Sequence, residues 1–312
     1  MKSVKVFAPA TIGNIGPGFD VLGLAVDGLG DFVEAREIPG HKLVIEDIFN
    51  ADHDISTNPD KNTAAIAANE ILRIFNIRKG IGLIITKGLP SGSGLGGSAS
   101  SAAAGAVAIN ELCNGGLSND QLIQAAMKGE AYVSGGYFAD NIAPSILGGA
   151  TLTQSINPLK VLKLGSIDEL IIILITPKIQ ILTKDSRDVL PKNISRSAFI
   201  ENMANTASIT AAFCNNDYSL LKDNLRDLAI EPYRSKFIPG FDKVKIAALD
   251  SGADGMAISG SGPTVFAITN SKKKAKIIEK EMEYEFNNHG IKCNTLVTVP
   301  SKNGSRIING IN

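Results

Sequence analysis

The segment Leu89-Pro90-Ser91-Gly92-Ser93-Gly94-Leu95-Gly96-Gly97-Ser98-Ala99-Ser100-Ser101 constrains this chain more than any other. It follows an apolar run, Ile81 to Thr86, and leads into an Ala-rich stretch. An apolar strand, then a loop dense in glycine and hydroxyl groups, then a helix, turns backbone N–H groups toward one point. The helix dipole adds positive potential at that point. Such a cradle suits phosphate, and it points first to a nucleotide-dependent enzyme. The helix expected from about 98 to 112 is nearly free of large side chains, so neighbouring backbones can approach it closely and hold it rigidly.

Other glycine loops fit less well. Gly92, Gly94 and Gly97 satisfy G-x-G-x-x-G, but a dinucleotide fold needs a strand after the helix. Here Ser118-Asn119-Asp120-Gln121 is a capping box that opens another helix, to about Val133. The Gly-Lys-Ser/Thr of a Walker A loop is absent, as are the His-Arg-Asp and Asp-Phe-Gly motifs of protein kinases. A turn serving packing alone would leave the hydroxyls of Ser93, Ser98, Ser100 and Ser101 unexplained.

The 312 residues suffice for one large or two medium domains. Basic and acidic residues balance at 31 each and only 5% of residues are aromatic, which argues against a nucleic-acid module. The greasiest segment, Leu170 to Ile175, is too short to span a bilayer and reads as a buried strand. No signal-peptide pattern opens the chain. Cys113, Cys214 and Cys293 are odd in number and show no metal spacing, as expected of reduced thiols in the cytoplasm. His41, His53 and His289 lie in polar stretches away from the glycine motifs and read as surface residues, so a histidine base and a zinc site are not expected.

Strands broken by the turn Gly13 to Asp20 fill the first 40 residues, and further strands are expected at 33–37 and 42–46. Asn62 to Phe75 has helical spacing, capped by Asp60 or Asn62. A strand at 151–155 follows the Gly148-Gly149 turn, and Asn157-Pro158 and Gly165 mark a weak boundary at 156–166. The second half reads strand 170–176, helices 195–214, 216–230 and 241–251, strands 255–259 and 264–269, helix 272–288, strand 292–299. Without its extra helices this is a split βαβ pattern of the ferredoxin-like kind.

Pro90 to Ser101 closely resembles the ATP-binding signature of the GHMP kinase superfamily (galactokinases, homoserine kinases, mevalonate kinases and phosphomevalonate kinases). Two further superfamily motifs are Ala8-Pro9-Ala10-Thr11-Ile12-Gly13-Asn14-Ile15-Gly16-Pro17-Gly18-Phe19-Asp20 and Ser259-Gly260-Ser261-Gly262-Pro263-Thr264. The first, with Ala139-Asp140-Asn141-Ile142-Ala143-Pro144-Ser145, Glu231-Pro232-Tyr233-Arg234 and Ile238-Pro239-Gly240, is most similar to the homoserine kinase branch. The resemblance covers essentially the whole chain. It implies an α+β, two-domain fold: an ATP-binding, ribosomal-protein-like N-terminal domain over 1–160 and a ferredoxin-like C-terminal domain over 161–312.

The implied reaction is phosphorylation of L-homoserine by ATP, in threonine biosynthesis. Another small-molecule kinase of the superfamily, or a non-catalytic sensor, is the alternative. Pro90 to Ser101 would hold the triphosphate, Asn62 would line the adenine pocket or merely cap its helix, and Ser98 and Glu130 would hold Mg2+. Helix geometry favours Glu130 independently: eight residues after Leu122, it lies about 80° around the helix on the apolar side. Homoserine's carboxylate wants N–H forks, which Arg187 and Arg234 supply, and its ammonium wants acceptors, which Asn14, Asp20, Asp140 and Asn141 offer. Thr183 and Gly260 complete the implied substrate set. Asp140 would contact the attacking hydroxyl, by orienting it or by accepting its proton. One position departs from the family pattern: Phe138 stands where a histidine is usual, two residues before Asp140. A homodimer is the default expectation for assembly.

Overall fold

The computed structural model of this chain describes residues 2–181 and 183–309. The first half runs β1 (Ser3–Gly13), β2 (Leu22–Ile38), β3 (Leu43–Phe49), α1 (Thr63–Ile74), β4 (Gly80–Thr86), α2 (Gly97–Leu112), α3 (Asn119–Ser134), α4 (Ile142–Leu147), β5 (Ala150–Ile156) and β6 (Leu159–Gly165). The second runs β7 (Ile171–Pro177), α5 (Thr183–Asp188), α6 (Arg196–Asn215), α7 (Tyr218–Asn224), α8 (Glu231–Arg234), α9 (Phe241–Asp250), β8 (Gly255–Ile258), β9 (Val265–Thr269), α10 (Lys272–Asn288), β10 (Cys293–Thr298) and β11 (Arg306–Asn309).

One sheet has the order β11-β1-β2-β4-β3, with β5 pairing to β2 and β6 to β5. Among the described residues, only β3 and β4 pair in parallel within it. The second sheet, β10-β7-β9-β8, is antiparallel throughout. The result is the expected two-part α+β fold.

A break in the β1–β2 register between Pro9 and Thr11 explains how the first sheet serves two cores. Even-numbered residues of β1 should all share one face, but the register with β2 shifts by three residues here, from Pro9 opposite Gly30 to Thr11 opposite Ala25, and the alternation reverses. Val4, Val6 and Ala8 accordingly pack on α1, α2 and α3, whereas Ala10 and Ile12 join a second core. There they meet Ile172, Leu174 and Phe266 of the second sheet and Phe213 of α6. The opposite face of β7, with Ile173 and Ile175, packs on α9 and α10 through Val244, Ile278 and Phe286. Both faces of β7 are therefore buried, which accounts for its unbroken apolar run. The small residues of α2 serve the close approach expected of them: a Cβ on Gly105 would lie 2.4 Å from the Ala64 carbonyl oxygen of α1.

Several elements depart from expectation. β2 begins at Leu22 rather than Val33. The punctuated stretch at 156–166 is the turn and return strand of the β5–β6 hairpin, and the division expected at 160 falls inside β6. The helix expected to continue to 230 stops at Asn224. The Asp227 carboxylate instead accepts N–H bonds from Ala229, Ile230 and Glu231, drawing those amides out of a continuing helix. The short helices α4 and α5 and the strand β11 lack a period long enough to read.

Candidate active site

Backbone bonds knit the three glycine motifs together. Thr11 N–H donates to the Leu95 carbonyl, Gly260 N–H to that of Gly13, and Thr264 N–H to that of Ser93. The Ser259 hydroxyl donates to the Gly94 carbonyl at 2.6 Å. These contacts join both sheets around a cleft of about 470 Å³.

The phosphate loop forms one wall. Gly96, at φ +66°, starts α2 in the left-handed conformation that glycine adopts without strain, and no side chain caps the helix. Its N-terminus faces the cleft beside Ser98 and Glu130, and its dipole favours an anion there. Beneath it lies an ion pair that sequence reading missed. Lys87, almost wholly buried, meets the fully buried Asp31 and donates to Ser101 Oγ at 2.8 Å and the Gly97 carbonyl at 3.1 Å. Ser101 Oγ donates to Asp31 Oδ2 at 2.6 Å, and Asp31 Oδ1 accepts the Gly88 N–H. The first turn of α2 is thus bolted to the strands beside it.

Asp140 and Asn141 sit opposite, just before α4. They lie directly on the sheet because Gly13 and Gly23, paired across β1 and β2, have no side chains there. A Cβ on Gly23 would lie 1.6 Å from the Asp140 carbonyl oxygen, and one on Gly13 would lie 2.7 Å from Asp140 Oδ2. Asn141 is fixed at both ends: it donates to Asp140 Oδ2 at 3.1 Å and accepts from Thr11 Oγ1 at 2.8 Å. Burial pushes the Asp140 carboxyl up to about 7, aided by the charge of Asp20 and opposed by Arg187 and Arg234.

The two arginines converge beyond Asp140. Arg187 grips Asp20 with both terminal nitrogens, at 3.0 and 2.9 Å. Arg234 donates to the carbonyls of Gly260 at 2.8 Å and Ser186 at 3.3 Å. Burial, then the charge of Arg187, lowers Arg234 to about 10. Asn14 is spent on structure, accepting the Asp20 N–H and donating to the Gly260 carbonyl.

Glu130, on α3, has Oε2 buried with no hydrogen-bond partner among the described residues. Burial pushes its carboxyl up to about 7, opposed by a hydrogen bond from Ser98 and aided by the charge of Asp140. A buried, unpaired carboxylate oxygen next to a hydroxyl is a donor set suited to a hard cation.

Most residues expected in the site do line one cleft: Asn14, Asp20, Asn62, Ser91, Gly92, Ser93, Gly94, Gly96, Gly97, Ser98, Ser101, Glu130, Asp140, Asn141, Arg187, Arg234 and Gly260. Pro90 faces an adjoining cavity. Leu95, Ala99 and Ser100 are buried in the core behind the loop, and the Ser100 hydroxyl donates to the Ala8 carbonyl. Asn62 caps α1, accepting from the N–H groups of Ala64 and Ala65. The side chain of Thr183 lies outside the described residues. His53, expected away from the glycine motifs, is exposed but stands at the cleft, where its neighbour Asp52 accepts the Ser91 N–H. Such a contact across 39 positions leaves no local signal in a sequence.

Comparison with known proteins agrees with this geometry. Residues 62–149 match the GHMP kinases N terminal domain, and residues 209–288 match the GHMP kinases C terminal. A homoserine kinase of Arabidopsis thaliana is 43% identical over 99% of this chain and 85% of its own length. One of Chloroherpeton thalassium is 37% identical over 99% and 100%. The crystal structure of homoserine kinase from Cytophaga hutchinsonii superposes with a TM-score of 0.94 at 40% identity, covering 98% of this chain and 97% of that one. A mevalonate diphosphate decarboxylase from Staphylococcus aureus, at 17% identity and a TM-score of 0.72, shares the fold.

Proposed function

The chain belongs to the homoserine kinase family of the GHMP kinases, and on that premise we propose that Asp140 contacts the attacking hydroxyl. The enzyme transfers a phosphoryl group from ATP to L-homoserine, giving ADP and O-phospho-L-homoserine, a step of threonine biosynthesis. The observation that carries the assignment is where Asp140 lies: a buried carboxyl in the same cleft as the phosphate loop and both arginines.

Each end of the substrate has a matching wall. The loop amides and the α2 N-terminus take the triphosphate. Arg187 and Arg234 take the homoserine carboxylate, and Asp20 takes its ammonium. Asn14 is engaged at both ends of its amide, whereas each Asp20 oxygen, though it accepts from Arg187, keeps a further lone pair and shares a negative charge, so Asp20 is the ammonium acceptor. A carboxyl near 7 is partly ionised at neutral pH, so Asp140 can hold the hydroxyl as an acceptor and take its proton as the O–P bond forms. The loose transition state of phosphoryl transfer asks mainly for positioning and charge neutralisation, which the cleft provides.

Ser98 and Glu130 are the residues that would hold Mg2+, and the unpaired Oε2 supports them. Once bound, that ion neutralises charge on the triphosphate. We place the reaction in the cytoplasm, because all three cysteines are free. No helix among the described residues is long and apolar enough to cross a membrane.

The test is Asp140→Asn. It should lower kcat by about a hundredfold or more, with KM for ATP within about twofold of the parent. Near-normal turnover would remove Asp140 from the mechanism.

A further inference from the structure

Phe138 enters none of the chemistry above, yet it lies against one of the two arginines that take the substrate carboxylate. Its ring centroid is 3.8 Å from Arg187 Cζ, the separation of a guanidinium resting on an aromatic face. Phe19 offers a second ring at 5.5 Å. The same guanidinium has both terminal nitrogens on Asp20, while its Nε is buried with no hydrogen-bond partner among the described residues. The plane of Arg187 is therefore held at its edge by a carboxylate and at its face by a ring. When the substrate carboxylate takes a share of that edge, the ring is the support that stays constant. Phenylalanine accepts no hydrogen bond, so it steadies the fork without competing for the N–H groups that the substrate needs.

We infer that Phe138 is a positioning residue that sets the plane of Arg187 and so selects acceptors bearing a carboxylate beside the amine. The inference rests on the reading that Arg187 receives that carboxylate. Its test compares L-homoserine with 3-aminopropan-1-ol, the same acceptor without the carboxylate, in steady-state kinetics of the full-length enzyme.

Phe138→Leu keeps apolar bulk and loses the ring. It should raise KM for homoserine about five- to tenfold while leaving KM for ATP and the kcat/KM for aminopropanol unchanged. Phe138→Tyr, which keeps the ring, should restore homoserine KM to about the parent value. Trifluorophenylalanine at 138 keeps the shape but weakens the negative face, so it should give an intermediate rise, and it serves equally should the leucine variant fail to fold. An unchanged homoserine KM in the leucine or fluorinated protein would overturn the proposal. So would an equal loss with both acceptors, which would mean simple packing. A parent enzyme that treats the two acceptors alike would overturn the assignment of Arg187, and this proposal with it.

Discussion

Two guanidinium groups facing one small volume repel each other, and the lowered pKa of Arg234 records that repulsion on top of its burial. An incoming carboxylate relieves it, so binding energy concentrates on that end of the substrate. Arg234→Leu should therefore raise KM for homoserine by about tenfold or more while KM for ATP stays put. An unchanged homoserine KM in steady-state assays would refute the role. Glu130 and Asp140 make a prediction in pH. Both carboxyls sit near 7 in the folded protein, above their ordinary range, so between about 4 and 7 the folded state binds more protons than the unfolded one. Their contribution to stability is full below about 4 and is lost as pH rises through 7. A cation on Glu130 needs the carboxylate, so Mg2+ and ADP should raise Tm more at pH 8 than at pH 6. Glu130→Gln should abolish the part of that difference that belongs to this residue; the same difference in the variant would contradict the ligand assignment. The glycine loop and its hydroxyls stood out in the sequence by their chemistry, whereas Arg187, Arg234 and Asp140 stood out only through the family motifs around them. Lys87 and Asp31 did not, because a single charge within or just beyond a strand reads as a solvated one until its partner 56 positions away is known.

At the scale of elements, helix α2 carries the site, and its hold is electrostatic as well as steric. Leaving Asp31 buried without its lysine should be costly: Lys87→Met should destabilise the protein by about 3 kcal/mol, lowering Tm by about 6 °C or more. Adding Asp31→Asn in the same chain should recover much of that loss, because the stranded charge is gone. Additive losses in thermal melts would show that the pair does not act as a unit. The helices were legible where an apolar stripe repeats over three or more turns, as in α1 and α10. They were misread where a side chain captures the backbone, as Asp227 does after α7. The β5–β6 hairpin was hidden for a different reason. Its Asn157-Pro158 turn carries the same residues as a linker, and only pairing across it tells the two apart.

Over the whole molecule, the active cleft belongs to neither sheet alone. β1 and β2 cross from the helix-covered core into the inter-sheet core at the Pro9–Thr11 register shift, which delivers Gly13, Asn14 and Asp20 to the join. The loop before α2, the Asp140 turn, α5 with Arg187 and α8 with Arg234 arrive from four other parts of the chain. That convergence could be expected from a family resemblance but not from spacing, because a one-dimensional pattern holds no distance between Asp20 and Arg187. The split βαβ order of the second half, in contrast, could be read from its alternating apolar runs, whereas the fold of the first half was expected only from the family resemblance. The cleft so assembled phosphorylates L-homoserine in preference to other alcohols. The most direct measurement is ADP release with ATP and Mg2+, comparing L-homoserine with serine, threonine, mevalonate and galactose. The kcat/KM for L-homoserine should be at least about a hundredfold above the rest, since the others misplace the hydroxyl or lack the amino-acid head that the arginines and Asp20 recognise. A higher kcat/KM for mevalonate or galactose, or no homoserine-dependent ADP release, would contradict it.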